Sequence, residues 1–107
     1  MSDLELSERW HGLDDVSAET ERRRNLVLHE LELEIAEGHE LSGLVMRVEA
    51  FFEASDDVIV RLLDDSFALV HPTWIRKADR PPWPQAERLG RGAQASEAVR
   101  RWEEASW

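Results

Sequence analysis

Apolar and polar side chains alternate along residues 41–74 with the period of two that is typical of half-buried β-strands. The alternation is interrupted at Ser55-Asp56-Asp57 and at Asp64-Asp65, and these short polar residues favour turns. We therefore predict a three-stranded antiparallel β-meander over residues 41–74. The residues expected on its main apolar face are Leu44, Met46, Val48, Ala50, Phe52, Val58, Val60, Leu62, Phe67, Leu69 and His71.

The register of the meander follows from the expected lengths of its two hairpin loops. A two-residue turn at Asp64-Asp65 would place Leu62 opposite Phe67 and Val58 opposite His71, and a five-residue loop before Val58 would place Phe52 opposite that residue. The second face is also partly apolar, so a C-terminal helix, the proline-rich segment or a second copy of the chain must cover it. Its candidate interface residues are Phe51, Ile59, Leu63 and Val70.

Helical patterns lie on both sides of the meander. Residues 17–38 carry apolar side chains within one arc of a helix, with Ser17 as a candidate N-cap and Gly38 as a candidate terminator. Residues 31–35 also alternate as a strand would, although their composition and the length of the segment favour helix. We expect a single α+β domain over residues 1–107. Its other predicted elements are a short N-terminal helical segment over 1–16 that opens with the capping-box residues Ser2 to Glu5, a Pro/Trp-rich loop over 75–93 and a C-terminal helix over 94–107.

Composition narrows the class of protein and of partner. The chain has 107 residues, a formal net charge of −10 and no cysteine, so disulfides and thiolate metal sites are excluded. An acidic start without an apolar core is unlike a signal peptide, and no apolar run is long enough to span a bilayer. We expect a cytoplasmic protein that binds neither membrane nor nucleic acid, because nucleic acid binding depends on basic contacts to phosphate.

Signals for catalysis and for metal binding are weak. His29-Glu30 begins like a zinc-protease motif, but position 33 is Leu, and zinc requires three or four converging ligands. The chain has no G-x-S-x-G elbow and no glycine-rich phosphate loop. We assign no catalytic residue, no metal ligand and no cofactor, and we favour a protein that is not an enzyme.

The sequence from Ala68 to Trp74 ends a predicted strand at His71-Pro72-Thr73-Trp74, and Pro72 has no N–H with which to continue the ladder. Together with Trp83 these residues form a candidate binding pocket consisting of His71, Thr73, Trp74 and Trp83. The alternative is a structural cluster in which the tryptophans close the core. In that case His71 needs a hydrogen-bond partner, either Thr73 or a carboxylate of Asp56-Asp57.

Segments of residues 38–84 resemble a family of short uncharacterised bacterial proteins with an A-V-V-H-x-T-W strand motif and a following P-x-x-P segment. The chain departs from the family at Pro72, where Leu is usual, and at Ser66, where Gly is usual. The resemblance supports the fold and the compartment and implies no activity. The matching segments are Gly38-His39-Glu40-Leu41, Gly43, Asp57-Val58-Ile59, Leu63-Asp64-Asp65, Ala68 to Trp74 and Pro81 to Pro84.

Three functions are compatible with these features. The first is a non-catalytic protein-interaction module, which can also self-associate. The second is a small-molecule-binding protein or enzyme that uses the pocket of His71, Thr73, Trp74 and Trp83. The third is an immunity- or antitoxin-like protein whose acidic surface binds a basic toxin.

Overall fold

The computed structural model describes residues 4–106 of the chain. These residues contain five strands and two helices, joined by loops. The strands form one antiparallel sheet in the order β1-β2-β3-β4-β5, in which each strand pairs with its neighbours in sequence. The elements are β1 (Trp10–His11), α1 (Ala18–Glu34), β2 (Val45–Phe52), β3 (Val58–Leu62), β4 (Phe67–His71), β5 (Gln85–Gly90) and α2 (Gly92–Ser106).

The α+β class is confirmed, but a three-stranded meander undercounts the sheet. Trp10 and His11 pair with Phe52 and Phe51, where a short N-terminal helix was expected, and residues 85–90 pair with β4, where a loop was expected. Both additional strands satisfy backbone groups that the central meander leaves open at its edges, so strand pairing outweighs local propensity. Ser2 and Asp3 of the predicted capping box lie outside the described residues.

Helix α1 begins where the sequence predicts and ends earlier. The Ser17 side chain accepts a hydrogen bond from the Thr20 N–H at 3.3 Å, which is the predicted N-cap. Residues 31–34 are helical, not extended, and the helix ends at Glu34 instead of continuing to Gly38. Its buried side includes the ionisable residues Arg24, Glu30 and Glu34 beside Val27 and Leu31, which explains why its amphipathic pattern is weak.

Both faces of the sheet are covered within the chain. The face toward α1 packs against Val27 and Leu31, and the face toward α2 packs against Ala95 and Val99. The residues of the α1 face are Val48, Phe51, Val58, Val60, Leu62, Ala68 and Val70, and those of the α2 face are Ala50, Phe52, Ile59, Phe67 and Leu69.

The predicted register was wrong by one residue in both hairpins. The Leu62 N–H donates to Ser66 O at 2.8 Å across a three-residue loop, and Asp65 has a φ of 67°, a combination typical of this loop length. Val58 therefore lies opposite Val70, not His71, and a one-residue shift moves every side chain of a strand to the other face. In the first hairpin the Phe52 N–H donates to Asp57 O at 3.0 Å across a four-residue loop, so Phe51, not Phe52, lies opposite Val58.

This shift places the candidate interface residues in different environments. Phe51 and Val70 lie beneath α1 and Ile59 lies on the α2 face, and all three are buried. Leu63 lies in the loop between β3 and β4 and is 59% exposed. The four residues predicted to share the second face therefore do not lie on one face, and the two helices of the chain cover three of them. Only Leu63 is at the surface.

Helix α2 and the N-terminal segment are joined by aromatic and polar contacts. The ring of Phe52 lies 4.8 Å from that of Trp10 and 5.0 Å from that of Trp102. Glu103 accepts hydrogen bonds from the Trp10 indole N–H at 2.6 Å and from the Ser7 hydroxyl.

Within residues 4–106, no helix is both long enough and apolar enough to cross a bilayer.

We expect Val60→Asp to unfold the protein. Val60 is fully buried on the α1 face, and an unpaired carboxylate at such a position costs about 3–5 kcal/mol. Leu63→Asp is the matched control, because the same change at an exposed position should leave the free energy of unfolding within about 0.5 kcal/mol of the parent. Urea denaturation measures both, and a stable Val60→Asp variant would contradict the assigned faces.

Candidate functional site

The end of β4 brings a histidine and an aspartate together. Because Val58 pairs with Val70, Asp57 lies beside His71, and the distance between Asp57 Oδ1 and His71 Nδ1 is 3.2 Å. The Ser55 hydroxyl donates to the other carboxylate oxygen of Asp57. A carboxylate only accepts, so Nδ1 carries the proton and the second ring nitrogen of neutral His71 is left as an acceptor. Asp57 was one of the partners that the sequence suggested for His71.

Glu34 holds the segment that follows β4. Its Oε1 accepts hydrogen bonds from the Thr73 N–H at 2.8 Å and from the Thr73 hydroxyl at 3.1 Å, and its Oε2 accepts from the Trp74 N–H at 2.8 Å. The backbone carbonyl of Glu34 accepts from the Asp79 N–H at 2.9 Å. One buried residue at the end of α1 thus binds both ends of residues 73–79, and no sequence pattern indicates this partner.

Glu30 lies one helical turn before Glu34, and the two carboxyl groups share a hydrogen bond. Burial, and then the bond to Glu30, raise the pKa of Glu34. The pKa of Glu30 is lowered by its bonds from Glu34 and from the Arg76 N–H, the latter at 2.9 Å. Burial thus favours the neutral form of Glu34, whereas the hydrogen bonds to Glu30 favour its ionised form.

The four residues of the predicted pocket do not form one site. His71 lies beside Asp57, whereas Thr73 and Trp74 are bound through their backbone to Glu34. The Trp83 side chain is 44% exposed, and the backbone N–H of Trp83 donates to the backbone carbonyl of Arg80 at 2.8 Å. Of these four residues only His71 lines a surface groove at the end of the sheet.

This groove has a volume of about 730 Å³ and lies where the α2 face meets the end of the sheet. Strand pairing places Gln85 opposite His71 and Glu87 opposite Leu69, and Asp57, the residue before β3, lies beside His71. We call it the β5 groove. Its lining residues are Gly38, His39, Glu40, Asp57, Leu69, His71, Pro81, Pro82, Gln85, Ala86, Glu87 and Trp102.

The charged side chains that line the β5 groove are acidic. Its lining includes the carboxylates of Glu40, Asp57 and Glu87 but no lysine or arginine. In the described part of the chain, neither Glu40 nor Glu87 forms an ion pair. Arg88 extends from the other face and donates to the Glu40 carbonyl at 3.1 Å. The groove therefore favours a cationic group.

Buried His39 fixes one rim of the groove. Its Nδ1 accepts from the Leu41 N–H at 2.9 Å, so Nε2 carries the proton and donates to the Pro84 carbonyl at 2.8 Å. This bond ties the chain after α1 to the residue that precedes β5. The role of His39 is to position the rim, since both of its ring nitrogens are engaged within the protein.

Sequence reasoning missed most of the groove. Glu40, Gln85 and Glu87 look like ordinary surface residues in the sequence, and Trp102 like a core residue of a helix. They converge only because residues 85–90 form a strand, which no alternation of apolar residues indicates.

Comparison with protein-family models, with curated proteins and with solved structures finds no match to this chain. The resemblance to a family of short bacterial proteins thus stays a prediction. Within residues 4–106 no three His, Asp or Glu side chains are grouped closely enough to hold a metal ion.

Glu34→Ala should destabilise the protein by about 2–3 kcal/mol, because the Thr73 and Trp74 N–H groups lose a buried acceptor. Glu32→Ala, at an exposed position of the same helix, is the control and should change stability by less than about 0.5 kcal/mol. Urea denaturation at neutral pH compares the three proteins. A Glu34→Ala variant as stable as the parent would show that Glu34 does not hold the segment.

Glu34→Gln should change how stability depends on pH. A carboxyl group whose pKa is raised on folding contributes stability that is fully present below its unfolded pKa, near 4.5, and is lost as the pH rises through the folded value. The stability of the parent relative to Glu34→Gln should therefore decrease as the pH rises from about 4.5 toward neutrality. Parallel pH profiles of the two proteins would show that folding does not raise the pKa of Glu34.

Proposed function

We propose that this chain is a non-catalytic protein-interaction module that binds a basic segment of a partner protein in the β5 groove. The observation that carries the proposal is the lining of the groove, with three carboxylates and no lysine or arginine. The net charge of −10 supports it, because an acidic surface accelerates association with a basic partner.

The walls of the groove fit the two parts of a lysine or arginine side chain. Leu69, Pro81 and Trp102 offer apolar surface for the methylene stem, and Glu87 and Asp57 offer carboxylates for the charged end. Arginine is the better fit, since its planar group both stacks on aromatic rings and pairs with carboxylates. A small basic toxin is one class of partner with this chemistry, and it would make the chain immunity- or antitoxin-like.

A second candidate function rests on the pairing of His71 with Asp57. Asp57 orients a histidine that lines the groove, and such a pair can act as a base toward a small cationic molecule. Ser55 donates to Asp57 and not to His71, so it is not positioned as a nucleophile that His71 would activate. His71→Asn separates the two functions, because it removes the base and leaves the carboxylates that bind a basic segment.

Selection of a random peptide library on the immobilised full chain should enrich lysine and arginine. A selected peptide should bind Glu87→Gln about tenfold more weakly than the parent in a fluorescence-polarisation titration, with a salt dependence typical of ion pairing. Binding to His71→Asn should stay within about threefold of the parent under the same conditions.

Glu32→Gln is the matched control, because it removes the same charge from an exposed position of α1 that does not line the groove. Its affinity should equal that of the parent. Selected peptides without basic residues would contradict the proposal, and so would equal weakening by Glu32→Gln and Glu87→Gln.

A further inference from the structure

Strand β5 is an open edge of the sheet. It pairs with β4 on one side, and within the described residues no backbone hydrogen bond joins residues 85–89 to any other part of the chain. Alternate N–H and C=O groups of an edge strand point away from its neighbour and can pair with an added strand. This open edge is also part of the β5 groove, which Gln85, Ala86 and Glu87 help to line.

The other edge of the sheet is a poorer template. There β1 pairs with only Phe51 and Phe52, and the rest of β2 carries register irregularities between Val45 and Arg47 and between Val48 and Ala50. Such irregularities disturb the regular spacing that an incoming strand requires. Residues 85–88, in contrast, pair without interruption with residues 68–71, and no proline lies between Gln85 and Gly90.

A second copy of the chain is an unfavourable occupant of this edge. Two antiparallel edges related by a two-fold axis pair residues whose numbers sum to an even constant, so one residue faces its own copy at the centre. The two registers that pair five residues within β5 are centred on Glu87 or on Arg88. Each brings like charges directly opposite one another, which is destabilising.

A basic segment of another protein is the better match. On the α2 face, β5 presents Gln85 and Glu87 beside His71 and Leu69 of β4. A residue of an added strand that lies opposite Glu87 has its Cβ about 5 Å from the Cβ of Glu87. A lysine or arginine there reaches the carboxylate of Glu87.

We propose that the partner binds by strand addition: an extended basic segment pairs with β5 as a sixth strand, with lysine or arginine opposite Glu87. This proposal rests on the function proposed above and adds the backbone geometry of the complex. Main-chain hydrogen bonds to β5 supply affinity, and the carboxylates select the basic side chains.

The test uses a peptide selected on the full chain, together with versions of it that are N-methylated at one residue at a time. N-methylation removes one backbone N–H, so in an added strand it should weaken binding about tenfold at alternate residues and less than about twofold at the residues between them. Hydrogen exchange followed by NMR should show slowed exchange of alternate amides within residues 85–89 when the peptide is bound.

The possible outcomes separate the two proposals. Binding that depends on Glu87 but shows no two-residue period in the N-methyl series, with unchanged exchange of the β5 amides, would refute strand addition and leave the acidic groove as the binding site. Binding that follows the two-residue period but does not respond to Glu87→Gln would refute the predicted pairing opposite Glu87. Failure of every selected peptide to bind would overturn both proposals.

Discussion

A carboxyl group buried at the end of α1 determines how the second half of the chain is arranged. Residues 72–84 form no helix or strand, and although Pro72 and Pro84 are buried, the large side chains of Trp74, Ile75 and Trp83 are partly exposed. Ordering such a segment costs conformational entropy. Glu34 and Glu30 offset that cost by accepting hydrogen bonds from the backbone N–H groups of this segment.

The groove depends on this arrangement from two sides. Glu34 sets the direction in which the chain leaves β4, and His39 holds the Pro84 carbonyl just before β5 begins. Between these two points the chain turns back, so that β5 pairs with β4 and presents Glu87 next to Leu69. The acidic lining is thus a product of buried polar contacts, and a substitution far from the groove can change its shape.

The sequence contained enough information for the local elements and for the centre of the sheet. Ser17 caps α1 by accepting a hydrogen bond from Thr20, which lies only three residues away. The apolar residues between Val58 and Leu62 indicate a buried strand without any information from distant parts of the chain. Loop geometry was beyond such reasoning. The left-handed conformation of Asp65 adds one residue to the hairpin loop, and that single residue changes the partner of His71 from Val58 to Asp57.

Long-range polar pairing was equally invisible, because no pattern in sequence links Glu34 to Thr73 or identifies residues 85–90 as a strand. Strand β5 has a buried Leu89 but no alternating apolar residues, and its conformation comes from the edge of β4 that it completes. The groove could not be predicted from the sequence for the same reason, since much of its lining comes from β5 and the residues before it.

The covering of the α2 face has a consequence for the order in which the protein can fold during synthesis. The ribosome synthesises the sheet residues Ile59, Phe67 and Leu69 before the helix α2 that helps to bury them. Glu103, which accepts the hydrogen bond from the Trp10 indole, belongs to the same late helix. Until residues 92–106 have left the ribosome, a nascent chain with a complete meander still carries an uncovered apolar sheet face. An apolar face exposed in this way favours binding to chaperones and aggregation.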